Sequence, residues 1–389
     1  MIGFLTCFKR PSHLQEARQA ERLFSPPERR RPTHRRTAER IYSSDEAKME
    51  KKNIDWAKLG FAYTPTDYRY QDEWENGAWE GGKLITDKHI SLLESACVFH
   101  YSQSCFEGLK AYTTKQGKIV TFRPDMNAER MYNTAARLEM PSYPKEKFVE
   151  AVLETVRANA AWVPPYGTGC SLYIRPFMIG SGPQIGVAPA PSFLFRIFVM
   201  PVGAYYKGAV KPQKLVVSDW DRAAPHGTGD IKAGLNYAMS LHPTMDAHRA
   251  GYAENLYLDP QTRTYVEEAG GANVLFVDKD DNLIVPKSTS ILPSITRRSL
   301  VYVAEHYLGL NVIERKVRFD EVKDMKECCL CGTAAVIAPV GLIHTHEGDI
   351  VLPSGMDKMG EISGRLRKTL TGIQDGEIEA PEGWIREVC

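Results

Sequence analysis

The sequence has 389 residues, of which 43% are hydrophobic and 25% are charged, and this is ordinary composition for a folded globular protein. Its length predicts two or three domains. The formal net charge is +1, so no global field draws the chain to nucleic acid or to an anionic membrane. No apolar run approaches the ~18 residues that a membrane-spanning helix needs.

The eight cysteines form no spaced disulfide framework, and a chain of this length buries a core without disulfides. We therefore expect a reducing, cytoplasmic environment. Cys328, Cys329 and Cys331 have the spacing CCxC, no second cysteine pair lies nearby, and His344 and His346 stand alone. This pattern favours a buried cluster of apolar thiols over a zinc site, so we expect no metal.

The first 48 residues differ from the rest of the chain. The stretch 9–48 contains eleven Lys or Arg residues against six Asp or Glu residues and has no apolar period. A transit peptide, which is poor in acids, and a nucleic-acid-binding arm are two alternatives. We favour a disordered basic extension over residues 1–48. The globular pattern begins directly after Met49, so we expect the working protein to begin there.

From Trp56 onwards, hairpins and helices alternate without internal repeats. The elements predicted in the first half are a hairpin over 109–122 with its turn at Gln116-Gly117, a helix from Pro124-Asp125 to Leu138, a helix over 145–162, and strands over 171–180 and 192–202. The stretch PVGAYYKGAVKP that follows is rich in Gly and Pro and is the best candidate for a domain linker.

The second half continues the same mixture. The elements predicted there are a strand over 215–220, a helix over 236–252 bent at Pro243, hairpins over 254–269 and 273–286, a helix over 296–309 and a strand over 311–317. Because no strict βαβ repeat is present, the pattern indicates an α+β fold in two domains. We expect a small N-terminal domain over 49–200, a linker over 201–210 and a large C-terminal domain over 211–389.

Lys232 stands between a Gly-rich turn and a helical pattern, in the stretch GDIKAGLNY. Tyr237 follows five residues later, and five helical steps of ~100° would place the two side chains ~140° apart. If Lys232 instead lies on a turn before the helix, as Gly227, Gly229 and Gly234 allow, both side chains can point into one cleft. A solvated surface lysine is the ordinary alternative to a covalent catalyst.

Two adjacent acids, Glu267 and Glu268, lie in the predicted strand RTYVEEA. Side chains alternate along a strand, so Glu268 shares a face with Val266 and Glu267 shares the other face with Tyr265. Because valine favours burial, we expect Glu268 to point inward, although a pair of surface glutamates is the ordinary alternative. A buried carboxylate needs a cationic or hydrogen-bonding partner, and the ring nitrogen of pyridoxal phosphate would supply one.

Three places in the sequence favour an anion such as phosphate. Residues 294–296 open a predicted helix, whose free N–H groups and dipole attract anions. Gly332 precedes Thr333, and a small residue there lets backbone N–H groups approach a ligand. Arg130 borders the apolar stripe of its helix and can reach a phosphate. A capped helix start and a solvated arginine are the ordinary alternatives, and without a P-loop or GxGxxG motif nucleotide binding has little support.

Eight short motifs occur in one order: FHYSQSCFEGLKAY, FRPDMNAERM, SLYIRP, PVGAY, KAGLNY, EEAGGANVLF, LPSITR and GTAA. The chain from about Trp56 to Trp384 resembles the fold-type IV pyridoxal-phosphate enzymes and, among them, the branched-chain amino acid aminotransferases. The resemblance implies pyridoxal 5'-phosphate as cofactor and reversible amino-group transfer from L-leucine, L-isoleucine or L-valine to 2-oxoglutarate. A D-amino acid aminotransferase or an aminodeoxychorismate lyase of the same fold is the nearest alternative, and a non-catalytic protein of this fold is another.

The resemblance also implies which residues bind the cofactor. Lys232 matches the lysine that forms an imine with the cofactor and then acts as general base. Tyr237 matches the tyrosine that hydrogen-bonds the cofactor's phenolic oxygen, and Glu268 matches the acid on its pyridine nitrogen. The residues that match the phosphate clamp are Arg130, Thr333, and Ile295 and Thr296 through their backbone N–H groups.

Substrate-binding residues are implied in the same way. The N–H groups of Thr333 and Ala334 match the seat of the substrate carboxylate, with help from Tyr173. Arg175 matches an arginine that meets the side-chain carboxylate of glutamate. The residues that resemble the aromatic walls of the pocket are Phe61, Tyr101, Phe106 and Tyr205. The loop 182–187 resembles one that closes the site of a partner subunit, which implies a homodimer.

Overall fold

The computed structural model describes residues 50–203 and 210–389, so the basic leader and Tyr205 lie outside the described residues. The strands are, in chain order, β1 (Arg69–Glu75), β2 (Ala78–Trp79), β3 (Lys83–Ile85), β4 (Ser104–Phe106), β5 (Leu109–Thr113), β6 (Ile119–Phe122), β7 (Ser171–Gly180), β8 (Phe193–Val202), β9 (Gln213–Val217), β10 (Glu254–Leu258), β11 (Tyr265–Ala269), β12 (Asn273–Val277), β13 (Leu283–Pro286), β14 (Val312–Arg315), β15 (Val317–Arg318), β16 (Glu327–Gly332), β17 (Val336–Thr345), β18 (Gly348–Val351) and β19 (Ile385–Glu387). The α-helices are α1 (Cys97–Tyr101), α2 (Pro124–Arg137), α3 (Lys145–Ala158), α4 (Gly234–Arg249), α5 (Ile295–His306) and α6 (Glu361–Gln374).

The first sheet has the strand order β19-β6-β5-β7-β8-β1-β2, with β3 paired to β1 and β4 paired to β7. Strands β7 and β8 are antiparallel from the pair Ser171–Val202 to the pair Gly180–Phe193. Helices α2 and α3 bury their apolar stripes in the same core as this sheet. Core members from these helices and strands are Met131, Ala135, Phe148, Val152, Ile174 and Phe195. Such burial is the main source of stability for amphipathic helices.

The second sheet closes on itself. Strands β12, β16, β17, β9, β10 and β11 each pair with the next, and β11 pairs back to β12 through Glu268 and Asn273. Closure leaves these strands without a free edge. Helices α5 and α6 pack on this sheet in a core that includes Leu275, Leu300, Val303, Leu366 and Leu370.

The α+β prediction is confirmed, and so are the hairpins β5–β6, β10–β11 and β12–β13. The four predicted helices correspond to α2, α3, α4 and α5, and Pro243 lies inside α4. The predicted strand over 311–317 is instead two short strands, β14 and β15, because these pair with different neighbours, β13 and β11. The sequence prediction missed β16, β17 and α6.

The extent of the two sheets can be compared with the domain boundaries expected from the sequence. Strand β8 continues to Val202, two residues beyond the expected end of the first domain, because Pro201 and Val202 pair with β7. The C-terminal strand β19 returns to the first sheet and pairs with β6. We propose that each domain contains one of the two sheets and that the linker begins after Val202. Strand β19, at the C-terminus, would then belong to the first domain. Residues 204–209 of the expected linker are outside the described residues.

The thiols of Cys328, Cys329 and Cys331 are all buried in strand β16. Cys328 belongs to one apolar core, and Cys329 and Cys331 belong to another, because neighbouring residues of a strand face opposite ways. Burial raises the pKa of the Cys329 thiol to about 12. In the described ranges no group of three metal-ligating side chains occurs, and no helix is long and apolar enough to cross a bilayer.

Candidate active site

Lys232 lies before helix α4, on a turn. The helix begins at Gly234, with Ala233 as its extended N-cap residue. Asn236 holds the preceding turn by donating to the carbonyl oxygens of Thr228 (2.6 Å) and Ile231 (2.9 Å). In this position Lys232 Nζ donates a hydrogen bond to Tyr237 Oη at 2.7 Å. Of the two alternatives, the structure therefore has the turn before the helix, which brings the two side chains together.

The backbone of Lys232 is tied to the first sheet and to α2. Its N–H donates to Thr134 Oγ1 at 3.1 Å, and its carbonyl accepts from the N–H of Phe106 at 3.2 Å. Lys232 Nζ lies 4.9 Å from the ring centroid of Phe106 and 5.1 Å from that of Tyr237. The two rings are 4.9 Å apart. The amine is thus held between two aromatic faces, which attract a cation.

Glu268 is the buried acid of the site. Its Oε2 accepts from Asn273 Nδ2 at 2.7 Å, and its Oε1 accepts from the N–H of Leu292 at 2.8 Å. The guanidinium of Arg222 forms an ion pair with Oε1. Burial nevertheless dominates, and it raises the pKa of Glu268 to about 7 against the opposing effects of Arg222 and the hydrogen bonds. The carboxylate therefore favours a further cationic partner.

Arg222 was not predicted from the sequence, yet it joins three parts of the site. Besides the ion pair with Glu268, its guanidinium donates to the carbonyl oxygens of Gly229 and Ser290. A Cβ on Gly229 would lie 2.2 Å from the Ser290 carbonyl oxygen, so only glycine fits there. The turn before Lys232 thus packs directly on the segment that contacts Glu268. A lone arginine in DRAAP gave no local signal of this role.

Arg130 is paired with an acid that the sequence prediction also missed. Its Nε and Nη2 atoms donate to the two carboxylate oxygens of Glu107, each at 2.7 Å. Its Nη1 donates to the carbonyl of Pro293 at 3.1 Å. Glu107 is fully buried and also accepts from Asn127 Nδ2 at 2.7 Å. Of the five N–H donors of the guanidinium, two remain for an anion.

Helix α5 begins at the other predicted phosphate residues. Ser294 is its N-cap, and the hydroxyl of Ser294 accepts from the N–H of Arg297 at 3.2 Å. Ile295 and Thr296 are the first two helical residues, so their N–H groups have no intrahelical acceptor. Thr296, Ile295 and Thr333 line one cavity, and Ile295 and Arg130 line another. The predicted phosphate residues are therefore divided between two cavities that share Ile295.

The turn between β16 and β17 carries Thr333 and Ala334. The hydroxyl of Thr333 donates to the carbonyl of Gly108 at 3.3 Å. The carbonyl of Ala334 accepts from Lys110 Nζ at 2.9 Å, a contact that the sequence prediction missed. Burial is the main cause that lowers the pKa of Lys110 to about 8. Contacts with Gly108 and Lys110 thus fix the turn whose N–H groups were predicted to seat a carboxylate.

Only some of the residues predicted to line the substrate pocket contact one another. Arg175 donates to the hydroxyl of Tyr173 at 3.0 Å and stacks over the ring of Phe106 at 4.7 Å. The ring of Phe61 meets that of Tyr173 edge-on at 5.2 Å. The hydroxyl of Tyr101 donates to the carbonyl of Ile185 in the loop 182–187. Tyr205 is outside the described residues.

Replacing Glu107 with alanine is expected to destabilise the folded protein by about 3–5 kcal/mol, because Arg130 would keep a buried charge without its partner. Thermal and denaturant unfolding of the cofactor-free variant measures this loss. Lys118→Ala is the matched control. It breaks an ion pair with Glu387 whose two side chains are 58% and 54% exposed, and it is expected to cost less than about 1 kcal/mol. Equal costs for the two variants would contradict the buried role of the Glu107–Arg130 pair.

Comparison with known proteins shows which family the chain belongs to. The family model for class IV amino-transferases matches residues 104–343. A branched-chain-amino-acid aminotransferase of Haemophilus influenzae is 50% identical over 342 residues, which cover 87% of this chain and 99% of that protein. A chloroplastic branched-chain amino acid aminotransferase of Humulus lupulus is 44% identical over 343 residues, with 87% and 83% coverage.

Solved structures agree with these relatives. The branched-chain amino acid aminotransferase of Escherichia coli has a TM-score of 0.70 and 28% identity, covering 83% of this chain and 100% of that chain. The enzyme of the same name from Thermobaculum terrenum, in its PLP form, has a TM-score of 0.71 and 25% identity, covering 84% and 100%. The family that the eight motifs predicted is confirmed. The chain belongs to the class IV amino-transferases and, within them, to the branched-chain-amino-acid aminotransferases.

Proposed function

We propose that the protein catalyses the reversible transfer of the amino group of L-leucine, L-isoleucine or L-valine to 2-oxoglutarate, giving the branched 2-oxo acid and L-glutamate, with pyridoxal 5'-phosphate as cofactor. The observation that carries the proposal is the pair Lys232 Nζ and Tyr237 Oη at 2.7 Å, in a fold that also buries Glu268. An amine and a buried carboxylate are the groups that such chemistry requires.

The residues present fit this cofactor. Lys232 offers a primary amine for covalent attachment, and Glu268 offers a buried carboxylate whose raised pKa favours a cationic partner such as a protonated ring nitrogen. The N–H groups of Ile295 and Thr296 and the two remaining donors of Arg130 offer a seat for a phosphate. We propose Thr333 as a further phosphate contact, in which its single O–H would turn from the Gly108 carbonyl to the phosphate.

The protein's own groups then act on the reaction as follows. The bound cofactor supplies an electron sink for negative charge that develops at the substrate α-carbon. Lys232 Nζ takes the proton from that carbon and returns it in the reverse reaction. Tyr237 Oη orients the amine by accepting its hydrogen bond, and Glu268 holds a proton on the ring nitrogen. The N–H groups of Thr333 and Ala334, with the Tyr173 hydroxyl, bind the substrate carboxylate.

Arg175→Met is expected to weaken binding of 2-oxoglutarate more than that of L-leucine. We assign Arg175 to the side-chain carboxylate of the dicarboxylic substrate, and a charge-assisted hydrogen bond is worth about 1.5–3 kcal/mol. The KM for 2-oxoglutarate should therefore rise about tenfold or more, while the KM for L-leucine changes less than about threefold. The two KM values in steady-state assays measure this. Arg365→Met, on an exposed arginine of α6, is the matched control and should change neither value.

An assay of amino-group transfer distinguishes the proposed activity from its nearest alternatives. Purified protein with added cofactor should form glutamate from L-leucine and 2-oxoglutarate, and should form far less from a D-amino acid. Preference for D-alanine would favour a D-amino acid aminotransferase of the same fold. Pyruvate release from aminodeoxychorismate, without glutamate formation, would favour the lyase.

We propose a homodimer in the cytoplasm, without nucleic-acid or membrane partners. Large apolar side chains are exposed on two neighbouring segments that support a subunit contact: Leu93 and Phe99 on one, Ile185 and Val187 on the other. The segments are joined by a hydrogen bond from the N–H of Gln184 to the carbonyl of Ser95 at 2.8 Å. The free thiols in the described residues fit a reducing compartment.

A further inference from the structure

Glu267, the neighbour of Glu268, is buried as deeply as Glu268 itself: each residue is 3% exposed. The two acids point to opposite sides of strand β11, so Glu267 has no part in holding the cofactor ring. Its Oε1 accepts from the hydroxyl of Ser288 at 2.9 Å and also from that of Ser290. The hydroxyl of Ser288 also accepts from the N–H of Ser290 at 3.2 Å. Glu267 therefore fixes the first part of the segment 288–294.

This 288–294 segment has no regular secondary structure, and its other side faces the candidate active site. The carbonyl of Ser290 accepts from Arg222 at 2.8 Å, and Arg222 in turn pairs with Glu268. The N–H of Leu292 donates to Glu268 Oε1 at 2.8 Å. Two contacts thus run from the segment to the carboxylate that we assign to the ring nitrogen.

The same segment reaches the phosphate residues. The carbonyl of Pro293 accepts from Arg130 Nη1 at 3.1 Å. Ser294 then caps helix α5, which places the N–H groups of Ile295 and Thr296. One short stretch of chain therefore determines the position of groups at both ends of the cofactor site, and Glu267 holds that stretch from the outside.

We propose that Glu267 is a positioning residue, which sets the 288–294 segment so that Glu268 and the start of helix α5 bind the ring nitrogen and the phosphate of the cofactor together. The inference rests on the proposed function for the identity of that cofactor. A surface glutamate would leave the segment free, but a buried carboxylate with two hydroxyl donors costs energy to displace and so constrains its partners. The role requires an acceptor at Oε1 and does not require its charge.

Two variants of Glu267 distinguish the loss of its hydrogen-bond acceptor from the loss of its charge. Glu267→Gln keeps an oxygen that accepts from Ser288 and Ser290, and it is expected to keep the affinity for pyridoxal 5'-phosphate within about threefold. Glu267→Ala removes the acceptor and is expected to weaken that affinity by about tenfold or more. Thr289→Ala is the matched control, because Thr289 is exposed within the same segment, and it should leave affinity unchanged. Fluorescence titration of cofactor-free protein measures each dissociation constant.

Hydrogen–deuterium exchange of the cofactor-free proteins gives a second readout that does not depend on the cofactor. Amides of residues 290–297 should exchange faster in Glu267→Ala than in wild type, and at wild-type rates in Glu267→Gln. If Glu267→Ala fails to fold by circular dichroism, the double variant Ser288→Ala, Ser290→Ala removes the same hydrogen bonds and should show the same two effects.

The outcomes are distinguishable. Wild-type affinity in folded Glu267→Ala, or unchanged exchange of residues 290–297, would overturn the positioning role. Equal losses of affinity in Glu267→Gln and Glu267→Ala would also overturn it, since charge alone would then explain the effect. Wild-type protein that binds no pyridoxal 5'-phosphate would refute the proposed function, whereas the exchange experiment would still report whether Glu267 holds the segment.

Discussion

Replacing Lys232 with alanine is expected to lower kcat for transfer from L-leucine to 2-oxoglutarate by about 10⁴-fold or more. Lys232 supplies the amine that attaches the cofactor and the base that moves the α-proton, so both steps lose their group at once. Single-turnover and steady-state assays with saturating pyridoxal 5'-phosphate measure the loss.

Tyr237→Phe is the matched control for Lys232→Ala. It removes the hydroxyl that lies 2.7 Å from Lys232 Nζ but keeps a ring that packs on Phe106. Its kcat is expected to fall by about tenfold, as for the loss of one hydrogen bond. A Lys232→Ala variant with more than about 1% of wild-type kcat would contradict the assignment of Lys232 as the catalytic amine.

Glu268→Gln is expected to lower kcat/KM for L-leucine by about 10³-fold, because a neutral amide does not hold a proton on the cofactor ring nitrogen. Glu267→Gln is the matched control, since it makes the same change one residue earlier on the other side of β11, and it should stay near the wild-type value. The two variants assayed side by side test whether the catalytic effect belongs to Glu268 alone. Similar losses in both would contradict the assignment.

The same substitution makes a prediction about stability in the absence of cofactor. Burial raises the pKa of Glu268 from its usual 4.5 to about 7, so the folded chain binds more protons than the unfolded chain between these pH values. The contribution of Glu268 to stability is fully present below pH 4.5 and is lost as pH rises through about 7. The unfolding free energy of wild type should therefore fall by about 3 kcal/mol relative to Glu268→Gln across this window.

Denaturant unfolding of both cofactor-free proteins at several pH values measures this difference. The comparison cancels any constant cost of leaving Arg222 without its partner, because that cost does not change with pH. A difference that stays constant from pH 4.5 to 7 would show that Arg222 keeps Glu268 ionised, contrary to the dominance of burial.

Local signals predicted the elements that carry Lys232 and Glu268. Glycines around Lys232 allowed a turn before α4, and the structure has this turn. Alternation in β11 predicted that Glu268 points inward, and Glu268 is buried and accepts from the N–H of Leu292. The burial of Glu267 was not predicted: its carboxylate packs against Ser288 and Ser290, residues that lie 21 and 23 positions away. Only the packed tertiary structure shows what covers the second face of a strand.

The supporting residues were missed for a related reason. Thr134 contacts Lys232 from 98 positions away, and Lys110 contacts Ala334 from 224 positions away. Glu107 and Arg222 carry ordinary charged side chains with no spacing that marks them as buried. Partners so far apart in sequence leave no periodic pattern, so one sequence does not reveal them.

Strand β17 was missed because its composition argues against a central strand. It contains Pro339 and Gly341, which usually interrupt strands. In the structure Pro339 pairs with Cys329 of β16, and the register to β9 shifts between Val340 and Leu342. This irregularity accommodates both residues within the closed sheet.

The absorption spectrum of the purified protein tests the proposed chemistry of Lys232 most directly. With pyridoxal 5'-phosphate added, we expect a long-wavelength band from cofactor attached to Lys232. The band should bleach with L-leucine and return with 2-oxoglutarate. A band whose absorbance does not change with L-leucine but bleaches with a D-amino acid would refute the proposed substrate. The absence of any band after cofactor addition would contradict the assignment of Lys232 and, with it, the whole site.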